Sequence, residues 1–203
     1  MAVKAVVFDI GETLVDETRV WSLHADRAGV TRLTFFAALG ALIERRDDHR
    51  NVFEVLGIER RIDHIPYESE DLYPDAVACM STLRDRGYTL ALVGNQPSRT
   101  EKFLRECGLD VDLVASSDAW GVAKPSSEFF QRVVEWIGLP AGEIVYVGDR
   151  VDNDVVPAKA VGMVPVFIRR GPWGHLQAEW PEAEQASAQI ESLTELMDVL
   201  GDV

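Results

Sequence analysis

The chain has 203 residues, of which 47% are hydrophobic and 27% charged, and its formal net charge at pH 7 is −14. This length fits one α/β domain or a core with a small insertion, and the composition is that of a globular chain rather than a disordered one. Nucleic acids and anionic membranes are disfavoured as partners, because an acidic surface repels both. An anionic substrate would have to meet a local cluster of positive charge.

Membrane insertion and secretion are also disfavoured. No apolar run reaches the roughly 20 residues that cross a bilayer, and the segment before Asp9 is too poor in apolar residues for a signal peptide. Cys79 and Cys107 make no disulfide framework, which favours a reducing compartment. We therefore expect a cytoplasmic protein with no membrane partner. The sequence does not indicate an oligomeric state.

Short apolar runs typical of buried parallel strands recur along the chain. They occupy residues 3–8, 88–94, 111–115, 144–148 and 164–168. Helical patterns follow at residues 75–86, 99–107, 127–137, 153–161 and 190–200. Ser98 and Glu101 predict a capping box for the helix at 99–107, and Ser126 and Gly138 predict the two ends of the helix at 127–137. This alternation predicts a doubly wound parallel α/β sheet with helices on both faces.

Residues 16–73 interrupt the alternation. They carry three helical patterns, at about 17–28, 31–46 and 47–56, between the first strand and the next helix of the core. We predict a core of residues 1–15 and 74–203 with a small α-helical cap, residues 16–73, inserted at the carboxyl edge of the sheet. A segment inserted at that edge often acts as a lid. The alternative is a helical subdomain with no part in binding.

Polar residues follow the predicted strands at the edge where open α/β sheets bind ligands. Four segments carry them in order: VVFDIGETL with Asp9, ALVGNQ with Asn95, GVAKPSSEFF with Lys124, and VGDRVDND with Asp149 and Asp154. Together these segments resemble the haloacid dehalogenase-like hydrolases, and in particular the phosphatase-like branch with a small helical cap.

The resemblance implies a Mg²⁺-dependent phosphatase acting on a small phosphorylated metabolite, with Asp9 as the nucleophile. A carboxylate can attack phosphorus and form an aspartyl phosphate. A hard cation removes the repulsion between Asp9 and phosphate, and the implied ligands are the carboxylates of Asp9 and Asp149 and the backbone carbonyl of Gly11. Lys124 would neutralise Asp9 and the phosphoryl oxygens, while Asp154 would orient metal-bound water or Lys124.

Two positions depart from the family pattern. Gly11 stands where these phosphatases usually carry an aspartate as general acid and base, a function that contributes roughly 10²–10⁴-fold. Glu12 could substitute for it. Gly94 stands where the family usually has a serine or threonine that binds a phosphoryl oxygen, and Asn95 could donate from its side chain or backbone instead. Thr13 is either a substrate contact or a hydrogen-bonding turn residue.

These departures leave three hypotheses. The first is a phosphatase that is slow with poor leaving groups. The second is a catalytically weakened descendant that binds phosphate or a partner protein. The third is a 2-haloacid dehalogenase, since halide needs no proton to leave. Dehalogenation needs no metal, however, and the carboxylates of Asp149 and Asp154 favour a metal site.

Overall fold

The computed structural model describes residues 2–59 and 65–202, the last of them for its backbone alone, so residues 60–64 of the predicted cap lie outside the described part. The described strands form one parallel sheet of six, in the order β3-β2-β1-β4-β5-β6. The strands are β1 (Ala5–Phe8), β2 (Thr89–Gly94), β3 (Leu113–Ser116), β4 (Ile144–Gly148), β5 (Val164–Ile168) and β6 (Ala188–Ile190).

Helices follow or precede each strand. In chain order they are α1 (Thr18–Arg27), α2 (Arg32–Glu44), α3 (Val52–Val55), α4 (Ala76–Asp85), α5 (Thr100–Glu106), α6 (Ser117–Trp120), α7 (Ser127–Ile137), α8 (Val156–Ala160), α9 (Gly171–Gln177) and α10 (Leu196–Asp202). Across residues 2–59 and 65–202, no helix combines the length and the apolar character needed to cross a membrane.

The core lies on both faces of the sheet, because successive side chains of a strand point to opposite sides. In β1, Val6 and Phe8 join a hydrophobic cluster with α4, α5 and α10, whereas Ala5 and Val7 join a second cluster with α7 and α8. This is the doubly wound α/β arrangement predicted from the sequence. β1 pairs with β2 on one side and β4 on the other, so its carboxyl end opens at the middle of the sheet.

Helices α1 to α3 are inserted between β1 and α4. Their apolar residues form a separate cluster around Phe35 and Leu39 of α2 and Phe53 of α3, and Trp173 of α9 packs into it. Where the chain leaves and re-enters the sheet region, Val15 pairs with Leu72 in an antiparallel bridge. The insertion is therefore present as predicted in chain order, and the division into a core and a cap remains a prediction.

Some local predictions hold and others are wrong. Ser126 accepts a hydrogen bond from the Glu128 N–H at the start of α7, and Gly138 ends that helix with a φ of 71°, as predicted. The capping box predicted before α5 is wrong. Ser98 donates to Asp118, and Glu101 accepts from Ser116, because the first turn of α6 and the end of β3 offer these partners.

The predicted helix over residues 190–200 is also wrong at its beginning. Ile190 ends β6, where its carbonyl accepts a hydrogen bond from the Arg169 N–H, and α10 starts only at Leu196. A three-residue edge strand is too short to show a pattern in the sequence. Helix α9 was not predicted either, because its first residues, Gly171 and Pro172, are typical of turns.

Candidate active site

The carboxyl ends of β1 and β4 bring two aspartates together at the middle of the sheet. Asp9 follows β1 and Asp149 follows β4, while Lys124 reaches in from the loop between α6 and α7. Lys124 Nζ lies 2.7 Å from Asp9 Oδ1 and 2.5 Å from Asp154 Oδ1. The side chains of Lys124 and Asp154 are 1% exposed, so these charges interact with little screening by solvent.

The acidic partners of Lys124 favour its charged form. Burial on its own would lower the pKa of Lys124, but Asp154 and Asp9 outweigh that effect and raise it. Asp154 has both oxygens engaged, since Oδ2 accepts the backbone N–H of Arg150 at 3.1 Å. Burial raises the pKa of Asp154 to about 7, against the opposing effect of Lys124. Asp154 thus contacts Lys124 directly, and its function in orienting Lys124 stays a prediction.

The carboxylates at this edge suit a hard divalent cation. Oxygens of Asp9, Asp149 and Asp154 lie within 4.8 Å of one another, and all three residues are buried. Asp149 Oδ2 is buried without a hydrogen-bond partner among the described residues. Burial, followed by the charges of Asp154 and Asp9, raises the pKa of Asp149 well above its usual range. A cation would supply a partner for this Asp149 oxygen, and oxygen ligands are those that Mg²⁺ prefers.

Asn95 holds the lysine loop in place. Its Nδ2 donates to the carbonyl of Lys124 at 2.9 Å, and its Oδ1 accepts from the Lys124 N–H at 2.8 Å. The amide could donate to a phosphoryl oxygen only by giving up this pair. The structure therefore disfavours the side chain as the catalytic donor, and the backbone N–H of Asn95 is the predicted alternative that remains.

Both glycine departures have a steric explanation. A Cβ on Gly94 would lie 2.7 Å from Asp9 Oδ1, so a serine or threonine there would displace the carboxylate of Asp9. A Cβ on Gly11 would lie 2.7 Å from Oε1 of Glu17. The space beside position 11, where an aspartate side chain would begin, is therefore occupied by Glu17.

Glu12 and Thr13 lie within the loop that follows Asp9. Glu12 has a φ of 53°, in the left-handed region that non-glycine residues rarely adopt. Its Oε2 accepts from the Tyr73 hydroxyl at 2.7 Å and its Oε1 from the Glu17 N–H at 3.1 Å, so both oxygens stabilise the loop. Burial, together with Glu17, raises the pKa of Glu12 to about 7. The Thr13 hydroxyl is buried with no hydrogen-bond partner in the described part, which favours neither of its predicted functions.

Glu17, which immediately precedes α1, is a residue of the site that was not predicted from the sequence. Its Oε1 accepts a hydrogen bond from the Tyr67 hydroxyl, and its Oε2 accepts from Trp21 Nε1 at 3.1 Å. Burial raises the pKa of Glu17. An acidic residue at a helix start is ordinarily a solvated one, and Tyr67 lies 50 residues further along the chain. No local pattern could have indicated this contact.

A cavity of about 200 Å³ opens above the carboxylates, and Asp9, Gly11, Glu17, Lys124 and Asp149 line its charged floor. Trp21, His49 and Trp173 form an aromatic wall on the side of the insertion. The ring centroid of His49 lies 5.9 Å from that of Trp21 and 5.1 Å from that of Trp173. A small substrate could therefore place a charged group at the floor and an uncharged part against this wall.

The aromatic wall makes stability depend on pH through His49. Burial lowers the pKa of His49 to about 4 from 6.5, and the charge of Arg150 adds to the effect. Between these two values the unfolded chain binds a proton that the folded chain does not, so the free energy of unfolding falls as the pH falls through this window.

We expect His49→Gln to lose less stability than the wild type between about pH 7 and about pH 5, measured by chemical denaturation. Equal losses in both proteins would contradict the assignment. Substitution of the exposed His175 by Gln is the matched control.

Residues 3–162 match the family model described as haloacid dehalogenase-like hydrolase. A glyceraldehyde 3-phosphate phosphatase from Methanocaldococcus jannaschii is 36% identical over 132 residues, which are 63% of this chain and 56% of the relative. The match thus spans about half the length of that relative. A protein of the same name from Methanopyrus kandleri is 27% identical over 99% of this chain and 98% of its own. A solved HAD phosphatase from Thermococcus onnurineus shares the fold with a TM-score of 0.64, at 27% identity over 98% of both chains.

Proposed function

The chain belongs to the haloacid dehalogenase-like hydrolases, and on that premise we propose that it is a Mg²⁺-dependent phosphatase of a small phosphorylated metabolite, with Asp9 as the nucleophile. The observation that carries the proposal is the buried contact of Lys124 Nζ with Asp9 Oδ1 at 2.7 Å, beside a second carboxylate, Asp149, whose Oδ2 has no partner in the part of the chain that the structure describes. The phosphatase names of the archaeal relatives support the substrate class.

The residues divide the chemistry among them. Asp9 attacks phosphorus, the bond to the leaving oxygen breaks, and water then hydrolyses the aspartyl phosphate. Lys124 holds the phosphoryl oxygens and is itself aimed by Asn95 and Asp154. Mg²⁺, held by Asp9, Asp149 and the carbonyl of Gly11, would neutralise the charge that phosphoryl transfer spreads over the phosphoryl oxygens.

The surroundings of the site support the remaining parts of the proposal. A cavity of about 200 Å³ suits a phosphate ester of a few carbon atoms. The insertion supplies the aromatic wall through Trp21 and His49, which supports its assignment as a lid that excludes water. Cys79 and Cys107 are free thiols, which supports a reducing, cytoplasmic location.

The dehalogenase alternative leaves one observation without an explanation. A halide-releasing reaction through Asp9 requires no cation, yet burial of the Asp149 Oδ2 with no hydrogen-bond partner among the described residues is costly. The binding-protein alternative makes the same structural demands as the phosphatase and differs only in turnover. An activity measurement therefore separates the two.

The first experiment is hydrolysis of para-nitrophenyl phosphate with Mg²⁺ and with EDTA. We expect EDTA and Asp149→Asn each to lower turnover by roughly 10²-fold or more, because the phosphoryl charge then lacks its main counter-charge. Excess Mg²⁺ should restore the wild type and should raise its melting temperature more than that of Asp149→Asn. Hydrolysis that EDTA leaves intact would contradict the metal site, and no hydrolysis by the wild type would favour the binding-protein alternative. Release of halide from a 2-haloacid, assayed alongside, would favour the dehalogenase.

A further inference from the structure

We propose that Glu17 is the general acid and base of this enzyme, supplied from the start of the inserted segment in place of a side chain at position 11. The inference rests on the proposed function, since it assigns the proton transfers of the same phosphatase reaction. Gly11 has no proton to give, which implies a loss of roughly 10²–10⁴-fold in rate. That loss is avoided if a carboxylic acid from elsewhere in the chain lies at the same place.

The position of Glu17 is the first argument. A Cβ built on Gly11 would lie 2.7 Å from Oε1 and 2.9 Å from Cδ of Glu17. The carboxylate therefore lies beside the loop that follows the nucleophile, in the space that a side chain at position 11 would enter. Glu17 lines the same cavity as Asp9 and Lys124. Its carboxylate is thus presented to the cavity that would hold the leaving group.

The orientation of Glu17 is the second argument. The Tyr67 hydroxyl donates to Oε1, and Trp21 Nε1 donates to Oε2 at 3.1 Å. Tyr67 in turn accepts from Gln96 Nε2 at 3.1 Å, which links the carboxylate to the loop after β2. Each carboxylate oxygen can take part in more than one hydrogen bond, so both remain able to exchange a proton with substrate or water. Donors on two different segments fix the group as an acid or base requires.

The other acidic residues of the cavity are committed elsewhere. Among the described residues that line it, these are Asp9, Glu12 and Asp149. Asp9 is the nucleophile, and Asp149 is assigned to the metal. Glu12 places its carboxylate against Tyr73, the Glu17 N–H and Gly171, whereas the carboxylate of Glu17 fills the space beside position 11. Glu17 is the carboxyl group that this assignment leaves for proton transfer.

The two steps balance with one shuttled proton. In the first, the bond from Asp9 to phosphorus forms, the bond to the ester oxygen breaks, and that oxygen takes the proton of the Glu17 carboxylic acid and leaves as an alcohol. In the second, water attacks phosphorus and gives a proton to the Glu17 carboxylate, while the bond to Asp9 breaks and inorganic phosphate leaves. Glu17 ends protonated, as it began.

The test compares leaving groups, since nitrophenolate leaves without a proton and an alkoxide does not. The value of kcat/KM covers only the steps up to departure of the first product. For Glu17→Gln we expect kcat/KM to fall by roughly 10²-fold or more with glycerol phosphate and by less than roughly 10-fold with para-nitrophenyl phosphate. Gln keeps the acceptor oxygen for Tyr67 or Trp21. The matched variant Glu12→Gln should change kcat/KM by the same factor for both substrates.

A second measurement addresses the hydrolysis step. With its base removed, Glu17→Gln should release a burst of nitrophenolate close to one equivalent per enzyme, because the phosphorylated Asp9 persists. Equal losses with both substrates, or a leaving-group dependence in Glu12→Gln instead, would overturn the proposal. If Glu17→Gln does not fold, Tyr67→Phe should also lose more kcat/KM with glycerol phosphate than with para-nitrophenyl phosphate, by a smaller factor. Equal losses with the two substrates in Tyr67→Phe would overturn the proposal too. A wild type that hydrolyses neither ester would refute the proposed function itself.

Discussion

Asp9→Asn should lower the hydrolysis of para-nitrophenyl phosphate by roughly 10⁴-fold or more while leaving the protein folded. The amide is isosteric with the carboxylate, so it creates no cavity, but it cannot attack phosphorus. It also neutralises one of three buried acidic groups that lie within 4.8 Å of one another. Lys124 keeps Asp154 as a partner. We therefore expect the melting temperature in EDTA to stay equal or to rise.

The measurement needs a phosphoenzyme readout as well as turnover. Wild-type protein quenched in acid during turnover should carry a covalent phosphate on Asp9, and Asp9→Asn should carry none. Asp26→Asn is the matched control, since Asp26 is a half-exposed aspartate paired with Arg32. It should keep its turnover. Substantial activity in Asp9→Asn would exclude Asp9 as the nucleophile, because this mechanism assigns the attack on phosphorus to its carboxylate alone.

Lys124→Met should lower the free energy of unfolding of the metal-free protein by roughly 3–5 kcal/mol, the range for breaking a buried ion pair by removing one partner. Lys124 is 4% exposed as a residue and is the cation in contact with both Asp9 and Asp154. Its removal leaves the carboxylates of Asp9, Asp149 and Asp154 buried without this positive charge. Turnover should also be lost, because the phosphoryl oxygens lose a direct positive contact.

A double-mutant cycle separates charge from packing in this effect. Asp154→Asn in the Lys124→Met background should recover part of the lost stability, because it removes one of the charges left unpaired. The same substitution in the wild type should be destabilising, because both Asp154 oxygens accept hydrogen bonds, from Lys124 Nζ and the Arg150 N–H, and an asparagine keeps only one acceptor oxygen. Lys159→Met, at an exposed position of α8, is the control for the loss of a lysine. Additive effects of the two substitutions would contradict a direct interaction between Lys124 and Asp154.

The parts of the site that the sequence predicted are those that a parallel sheet brings together. Asp9 and Asp149 end neighbouring strands, so recognising the two strands was sufficient to place them at one edge. Lys124 was recognised from the Lys-Pro pair before a capped helix, and the structure places it on Asp9. Placing these three residues required only the order of the segments along the chain and the recognition of parallel strands. It required no knowledge of how side chains pack.

The parts that the sequence could not predict depend on contacts between distant segments. The contact of Tyr67 with Glu17 spans 50 residues, and the pairing of Asn95 with Lys124 spans 29. Neither Glu17 nor Asn95 has a local pattern that indicates its partner. The same applies to Gly94, since its proximity to Asp9 Oδ1 follows from side-by-side pairing of β1 and β2. The departures from the family pattern at positions 11 and 94 are visible in the sequence, whereas the side chains that occupy the space there are visible only in the structure.

The central position of β1 has a consequence for synthesis on the ribosome. Phe8 pairs with Leu92 on one side and with Val147 on the other. The strand that carries the nucleophile is thus made before either neighbour, and its second edge stays open until β4 leaves the exit tunnel. An open apolar strand edge is a site of aggregation, and distant pairings of this kind form slowly. Nascent chains that stop before β4 should therefore depend on chaperones more than chains that include it.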